Sequence, residues 1–168
     1  MQPPQLIPDV SLRPFTTLRA GGRAEWFAQA RSVDELAAMV AACHQKPDPL
    51  TVLGWGSNVL PSDAGVAGTV IINETRGLTI DGDSGVVEVD SGVGFQELFL
   101  KTAQQGLAGL EFAVGIPGTV GGALVSNAGA YRSNVSEFLS EIEIVLEGER
   151  GWVSPACMEF SYRDSVLR

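Results

Sequence analysis

Between Phe112 and Tyr131 the chain carries no charged side chain, over a length close to that of a membrane span. Gly115, Gly118, Gly121, Gly122 and Gly129, with Pro117, Ser126 and Asn127, break that stretch up. So many interruptions would leave N–H and C=O groups unsatisfied in lipid, so it reads as an interior loop and short helix packed against something large and uncharged. At its centre is Gly115-Ile116-Pro117-Gly118-Thr119-Val120-Gly121-Gly122, running into a helix expected over residues 123–130. Glycines set around one proline give a main chain that can lie flat against a ring or a diphosphate, with the helix presenting its N-terminal N–H groups. The competing reading is a glycine-packed crossing of the core.

A second glycine loop, Gly54-Trp55-Gly56-Ser57-Asn58-Val59-Leu60, directly follows a buried strand at Leu50–Leu53. Glycines at the carboxyl end of a strand let N–H groups approach a pyrophosphate, and Ser57 and Asn58 add side-chain donors. A Rossmann fingerprint needs a third glycine where Val59 stands and a helix opening at once, whereas here Pro61 and more loop follow. No Gly-Lys-Ser/Thr is present, which excludes a Walker loop. Alone, the segment can also be a tight turn between strands. Two such loops, each leaving a different lobe, point to a ligand shared between lobes. In Phe160-Ser161-Tyr162-Arg163-Asp164-Ser165, the guanidinium of Arg163 stays protonated and can stabilise charge developing on a substrate. The bland alternative is a surface Arg–Asp pair. Trp55 and Trp152 read as packing residues.

The order of elements follows from periodicity. Glu25–Ala30 fits a strand, and Ser32 with Glu35 forms a capping box before a helix running from Val33 to about His44, where Pro47 and Pro49 stop it. Strands at 50–53 and 69–72 complete a βαβ unit with parallel strands. Residues 78–80 and 86–89 around Asp81-Gly82-Asp83-Ser84-Gly85 read as an antiparallel hairpin. A helix over Phe95–Gln105 ends at Gly106, residues 138–146 alternate as a half-buried strand, a turn at 148–150 leads into Trp152-Val153, and residues 155–159 form a helical turn. The fold class is therefore α+β, with a small βαβ lobe over residues 1–76 and a mixed or antiparallel lobe with helices over 77–168.

Composition removes other chemistries. The chain has 168 residues, 45% of them hydrophobic, enough to bury a sizeable core. A net charge of −9 argues against a nucleic-acid backbone binder, which needs a basic face. Cys43, Cys157 and the single histidine, His44, cannot build a disulfide framework or a zinc site, so no metal is expected. Residues 1–10 have prolines and an acid where a signal peptide carries a basic and an apolar region, so a cytoplasmic protein without a membrane segment is expected.

Thr16-Thr17-Leu18-Arg19-Ala20-Gly21-Gly22, the Gly54–Leu60 loop, Gly109-Leu110-Glu111, the Gly115–Gly122 loop, Asn127-Ala128-Gly129-Ala130-Tyr131 and Tyr162-Arg163-Asp164-Ser165 occur in this order along nearly the whole chain. As an ordered set they closely resemble the UDP-N-acetylenolpyruvoylglucosamine reductases, flavoenzymes of peptidoglycan synthesis with the vanillyl-alcohol-oxidase, or PCMH-type, FAD fold. The resemblance implies non-covalent FAD between two α+β lobes. Gly54 to Asn58 would lie near the pyrophosphate, with Val59 and Leu60 also cofactor-binding, and Gly115, Ile116, Pro117, Gly118, Thr119, Gly121 and Gly122 along the cofactor. It also implies NADPH as hydride donor, hydride delivery to the enolpyruvyl double bond of a UDP-sugar, Arg163 as the stabiliser of the resulting charge, and Tyr131 on the substrate side.

Two departures qualify the resemblance. Phe15 stands where the family commonly has Asn, which implies altered packing near the cofactor. The family's proton-donating Ser and its acidic partner lie in a C-terminal substrate domain, and the sequence ends at Arg168. The expectation is a fragment, a truncated product, or a chain whose partner carries that domain, with negligible reductase activity alone. Another oxidoreductase of the same fold and a cofactor-free module are the alternatives.

Overall fold

The computed structural model describes residues 6–168, so part of the 1–10 segment read above lies outside the described residues. By contacts the chain divides into two compact units. The first runs to Thr75 and takes in Val145–Gly151, and the second comprises Arg76–Ile144 and Trp152–Arg168.

In the first unit, β1 (Ile7–Ser11), β2 (Arg23–Ala30), α1 (Val33–His44), β3 (Leu50–Leu53) and β4 (Val66–Asn73) make one helix-backed sheet of order β1-β2-β4-β3. Strands β2 and β3 both run parallel to β4, which lies between them, as the βαβ reading requires. The sequence reading missed β1, which pairs antiparallel with β2 from Ile7↔Phe27 to Ser11↔Arg23. Pro8 and the left-handed Asp9 (φ 54) sit inside it and hide any alternation.

α1 begins as its sequence dictates. Ser32 Oγ accepts the Glu35 N–H at 3.2 Å, and Glu35 Oε2 accepts the N–H of Arg31 at 2.8 Å, one residue before the cap. Met39 faces the sheet with Leu36 and Val40 and packs on Ala28, Ala30 and Ile71, and Cys43 on the same helix is buried too. Val70 and Ile72, alternating with Ile71, point to the opposite side and join Leu12, Ala24, Phe27 and Leu53. Burial on both faces explains the unbroken Val-Ile-Ile run, each side chain contributing about 1.5–3 kcal/mol.

The second unit opens with the hairpin β5 (Leu78–Ile80) and β6 (Val87–Val89), in register Leu78↔Val89 and Ile80↔Val87. α2 (Phe95–Gln104) then ends in a Schellman motif: Gly106 (φ 76) donates to Ala103 O at 3.0 Å, and Leu107 donates to Thr102 O at 3.0 Å. Phe112 lies between Phe95, tilted at 59° with centroids 5.9 Å apart, and Phe138, stacked at 5.8 Å.

Three expectations fail further along the chain. The helix expected over 123–130 is α3 at Val120–Val125, because Thr119 caps it early and Asn127 (φ 40) cannot continue it. β7 (Gly129–Ala130) and β8 (Ser133–Asn134) follow as a small hairpin. The strand expected from residue 138 begins only at β9 (Ile142–Leu146), since Val135–Phe138 is a 3-10 turn that places Phe138 against Phe112. The turn expected at 148–150 sits earlier, at Glu147 (φ 52) and Gly148 (φ 85), so that β10 (Glu149–Val153) is longer than read. Among the described residues no helix is long and apolar enough to cross a membrane, and no cluster of potential metal ligands occurs.

Candidate functional site

The loop after β3 belongs to the first unit, and its shape is set by the segment that precedes β2. Thr17 donates to Gly56 O through its N–H at 3.2 Å and its hydroxyl at 3.4 Å. Thr16, buried, bonds Ala20 through its hydroxyl in both directions, donating to the carbonyl at 3.1 Å and accepting from the N–H at 3.2 Å. Gly56 has φ 60, and a Cβ there would collide with Phe15 O and lie 2.9 Å from Thr16 Cα. Further on, Gly22 donates to Ser62 O at 2.9 Å. The Thr16–Gly22 motif is therefore the backbone partner of the first glycine loop, a role that its sequence alone did not disclose. Phe15 packs on Phe27 with centroids 4.8 Å apart.

Along the loop, Val59 turns inward to the core of the first unit, leaving its main chain for any ligand. Trp55 and Leu60 are 53% and 71% exposed, and Asn58 is exposed. Reading Trp55 and Trp152 as packing residues is therefore corrected, since Trp152 is 55% exposed as well. Among the described residues, the N–H groups of Trp55, Gly56 and Asn58 meet no acceptor. Arg13 and Arg19, without a carboxylate partner among the described residues, line an open concavity of about 510 Å³ with Pro14. Arg13 Nε donates to Arg19 O at 3.2 Å.

The loop before α3 belongs to the second unit. Its helix N-terminus is not the open donor array expected from the sequence, because the protein fills it. Val120 N–H goes to Val93 O at 2.9 Å, Gly121 N–H to Ser91 O at 2.8 Å, and Gly122 N–H to Thr119 Oγ1 at 3.3 Å. Gly121 is needed for that approach, since a Cβ would fall 2.9 Å from Ser91 Cβ. The groups left over lie one step earlier: the N–H groups of Gly118 and Thr119, both buried residues, find no acceptor among the described residues. Gly115 (φ 77) has open space for 4 Å around the place a Cβ would take. Ile116 packs against the core, whereas Val114 and Pro117 are exposed.

Tyr131 and Arg163 also lie in the second unit, each in a two-residue turn. Tyr131 and Arg132 (φ 52 and 68) join β7 to β8, and Tyr131 is 86% exposed. Such a turn normally takes Asn or Gly, and bulky residues there cost about 1–3 kcal/mol each. Tyr162 and Arg163 (φ 60) sit between Ser161 and Asp164, which bridge each other. Asp164 approaches Arg168 at 3.9 Å rather than Arg163, so the expected Arg–Asp surface pair does not form. The Arg163 guanidinium has no partner among the described residues.

An FAD offers a diphosphate, which suits backbone donors, and a broad aromatic ring, which suits uncharged contact. The chain provides both: N–H groups without acceptors among the described residues, two of them on buried residues, and loops free of charged side chains. The residues present fit the group.

That fit agrees with a match over residues 24–151 to a family described as FAD binding domain, and the chain belongs to this family. Among curated proteins it is 40% identical over 166 residues to the UDP-N-acetylenolpyruvoylglucosamine reductase of Prochlorococcus marinus, covering 98% of this chain and 57% of that protein. Among solved structures it resembles the UDP-N-acetylenolpyruvylglucosamine reductase of Thermus caldophilus, with TM-score 0.78, 32% identity, and coverage of 98% of this chain and 58% of the other. A glucooligosaccharide oxidase of Acremonium strictum, at TM-score 0.54, 18% identity and coverage of 88% and 31%, shares the fold alone. The chain spans about half the length of the curated relatives it matches.

Proposed function

We propose that this chain is the FAD-holding part of an NADPH-dependent cytoplasmic reductase that converts the enolpyruvyl group of UDP-N-acetylglucosamine enolpyruvate to the lactyl group of UDP-N-acetylmuramate, for peptidoglycan synthesis. The observation that carries the reading is 40% identity along 98% of the chain to a protein named for that substrate. In this reading, Gly54, Trp55, Gly56, Ser57 and Asn58 present main-chain and hydroxyl donors to the FAD diphosphate, with Val59 and Leu60 completing the loop. Residues 115–119, with Gly121 and Gly122, lie along the cofactor. The flavin, when bound, supplies hydride transfer from NADPH to the substrate's enolpyruvyl carbon.

The chain's own contribution to the chemistry is electrostatic. Hydride addition places negative charge on the carboxylate side of the enolpyruvyl group, and a guanidinium without a competing carboxylate is suited to stabilise it. Arg163 has that character, and Tyr131 is assigned to the substrate side. The final proton and the UDP-sugar contacts fall to the portion of the relatives that this chain does not span, supplied by the same polypeptide or by a second chain.

Titration of the purified protein with FAD, read by quenching of flavin fluorescence, tests the cofactor half. One FAD per chain, released by heat, is expected, and protein that binds none overturns it. For the reductase half, the chain joined to its downstream sequence should oxidise NADPH when the enolpyruvyl sugar is added, and the 168 residues alone should not. Arg163→Ala in the longer protein should lower turnover roughly 10²–10³-fold with FAD affinity unchanged. Unaltered turnover would remove Arg163 from the mechanism.

A further inference from the structure

Asn127 is a buried polar residue just past the end of α3, and both ends of its amide are engaged. Nδ2 donates to Ser161 O at 3.0 Å, and Oδ1 accepts the Ser136 N–H at 3.4 Å. Its backbone is left-handed (φ 40), a conformation Asn tolerates better than other non-glycine residues, and its own N–H donates to Leu124 O at 3.0 Å.

The Ser161 carbonyl is the base of the Tyr162–Arg163 turn. It also accepts the Asp164 N–H at 3.4 Å, while Asp164 O accepts the Ser161 N–H at 3.1 Å. One carbonyl with two lone pairs thus closes the turn and hangs it from Asn127. A second tie lies beside it, where buried Ser165 donates to Val125 O at 3.0 Å. The Ser136 end of the same amide holds the segment that follows the Tyr131-bearing hairpin.

We propose that Asn127 is a positioning residue for Arg163: its amide fixes the main chain of the Tyr162–Arg163 turn, and so the place of the guanidinium, without bringing a charge to it. The proposal rests on the reading of Arg163 as the group that meets the substrate's carboxylate. Only a primary amide of this length donates to one carbonyl and accepts from one N–H at once. A carboxylate at 127 would face the Ser161 carbonyl with no proton to give and would offer the guanidinium a competing partner. Arg163 is itself left-handed, so an untethered turn would relax toward a less strained conformation and carry the guanidinium with it.

Two variants of the FAD-loaded 168-residue chain test this. Asn127→Asp keeps the acceptor and the tolerated backbone angle but deletes the donor, and Asn127→Gly removes the side chain without backbone strain. Hydrogen–deuterium exchange over residues 161–164 reads the tether, and calorimetric titration with phosphoenolpyruvate, an enolpyruvyl carboxylate, reads the guanidinium. Both variants should exchange about tenfold faster and bind the probe about tenfold more weakly, with FAD affinity unchanged within about twofold. On an Arg163→Ala background, Asn127→Asp should change probe affinity less than about twofold, since it acts through a side chain already removed. A merely structural role would give additive losses and overturn the proposal, as would unchanged exchange in both variants. Loss of FAD from both variants would assign Asn127 to folding and overturn it as well. Faster exchange with a probe affinity indifferent to Arg163→Ala upholds the tether and overturns the assignment of Arg163 instead.

Discussion

The two glycine loops share a texture in sequence and are built for different reasons. In the loop after β3, Gly56 is demanded by the protein itself, because the Phe15–Thr16 main chain passes where a side chain would begin. In the loop before α3, self-packing falls on Gly121, against Ser91, while Gly115 has open space where its side chain would be. Glycine in a ligand loop therefore has two separable jobs, letting the chain pass itself and leaving room for another molecule. Only the second can bear on a ligand, and open space alone is shared by Gly106, whose job is to end α2.

The sharpest way to break this contrast is Gly56→Ala. The left-handed angle costs about 1–2 kcal/mol and the collision with the Phe15 carbonyl about 1–3 more, so a loss of roughly 3 kcal/mol is expected in urea unfolding of the apoprotein. An alanine variant as stable as the parent would show that the Thr16–Gly22 segment can move aside, and the self-packing explanation would go with it. Gly115→Ala should behave oppositely. Only the backbone angle is strained, costing about 1–2 kcal/mol, whereas FAD affinity should fall by about tenfold beyond what that destabilisation explains. Unfolding and FAD titration on the same preparation separate the two, and an unaffected FAD affinity would make Gly115 a plain turn.

Thr119→Ala probes the boundary between the jobs at smaller scale. Its hydroxyl caps α3 by accepting the Gly122 N–H, and losing it should cost about 1 kcal/mol of stability, restored by Thr119→Ser. If the freed N–H instead tightened FAD binding, α3 would be a donor array held shut by its own cap.

What the sequence disclosed divides along the same line. Features fixed by neighbours in sequence were readable: the Ser32 cap, the glycine stop at Gly106, the β5–β6 hairpin and both loops by position. Features fixed by distant partners were not. β1 owes its strand state to β2, Phe138 leaves its expected strand to stack on Phe112, and the α3 donors are spent on Ser91 and Val93, which nothing in the loop's own residues announces. Asn127 gave the faintest signal of all. A lone Asn after a helix reads as a stop, and its bond to Ser161 spans too much chain for any periodicity to carry.

The turn Asp81–Gly85 offers a control for the contrast, since it combines glycine with an acid and has no part in the proposed site. Gly85 (φ 73) meets only Leu107 Cδ2 at 3.8 Å, and Asp81 supplies the fixing bonds. Its Oδ2 accepts the Ser84 hydroxyl at 2.6 Å, and its Oδ1 accepts the N–H groups of Ser84 at 3.3 Å and Asp83 at 3.0 Å. These bonds, the Ser84 hydroxyl foremost and then the two N–H groups, hold the Asp81 pKa below its ordinary value. A carboxylate depressed in the folded state stabilises the turn fully above the unfolded value, about 3.9, and loses that contribution as pH falls through the lower folded one. The NMR shift of the Ser84 amide should therefore move below about pH 4 in the parent and move far less in Asp81→Asn. The effect on global stability should be the smallest of the series, because the group is exposed. FAD affinity at neutral pH should be the same in both. A variant that folded but lost FAD would place this turn in the site after all, whereas an unchanged affinity shows that open space at a glycine does not by itself mark a ligand loop.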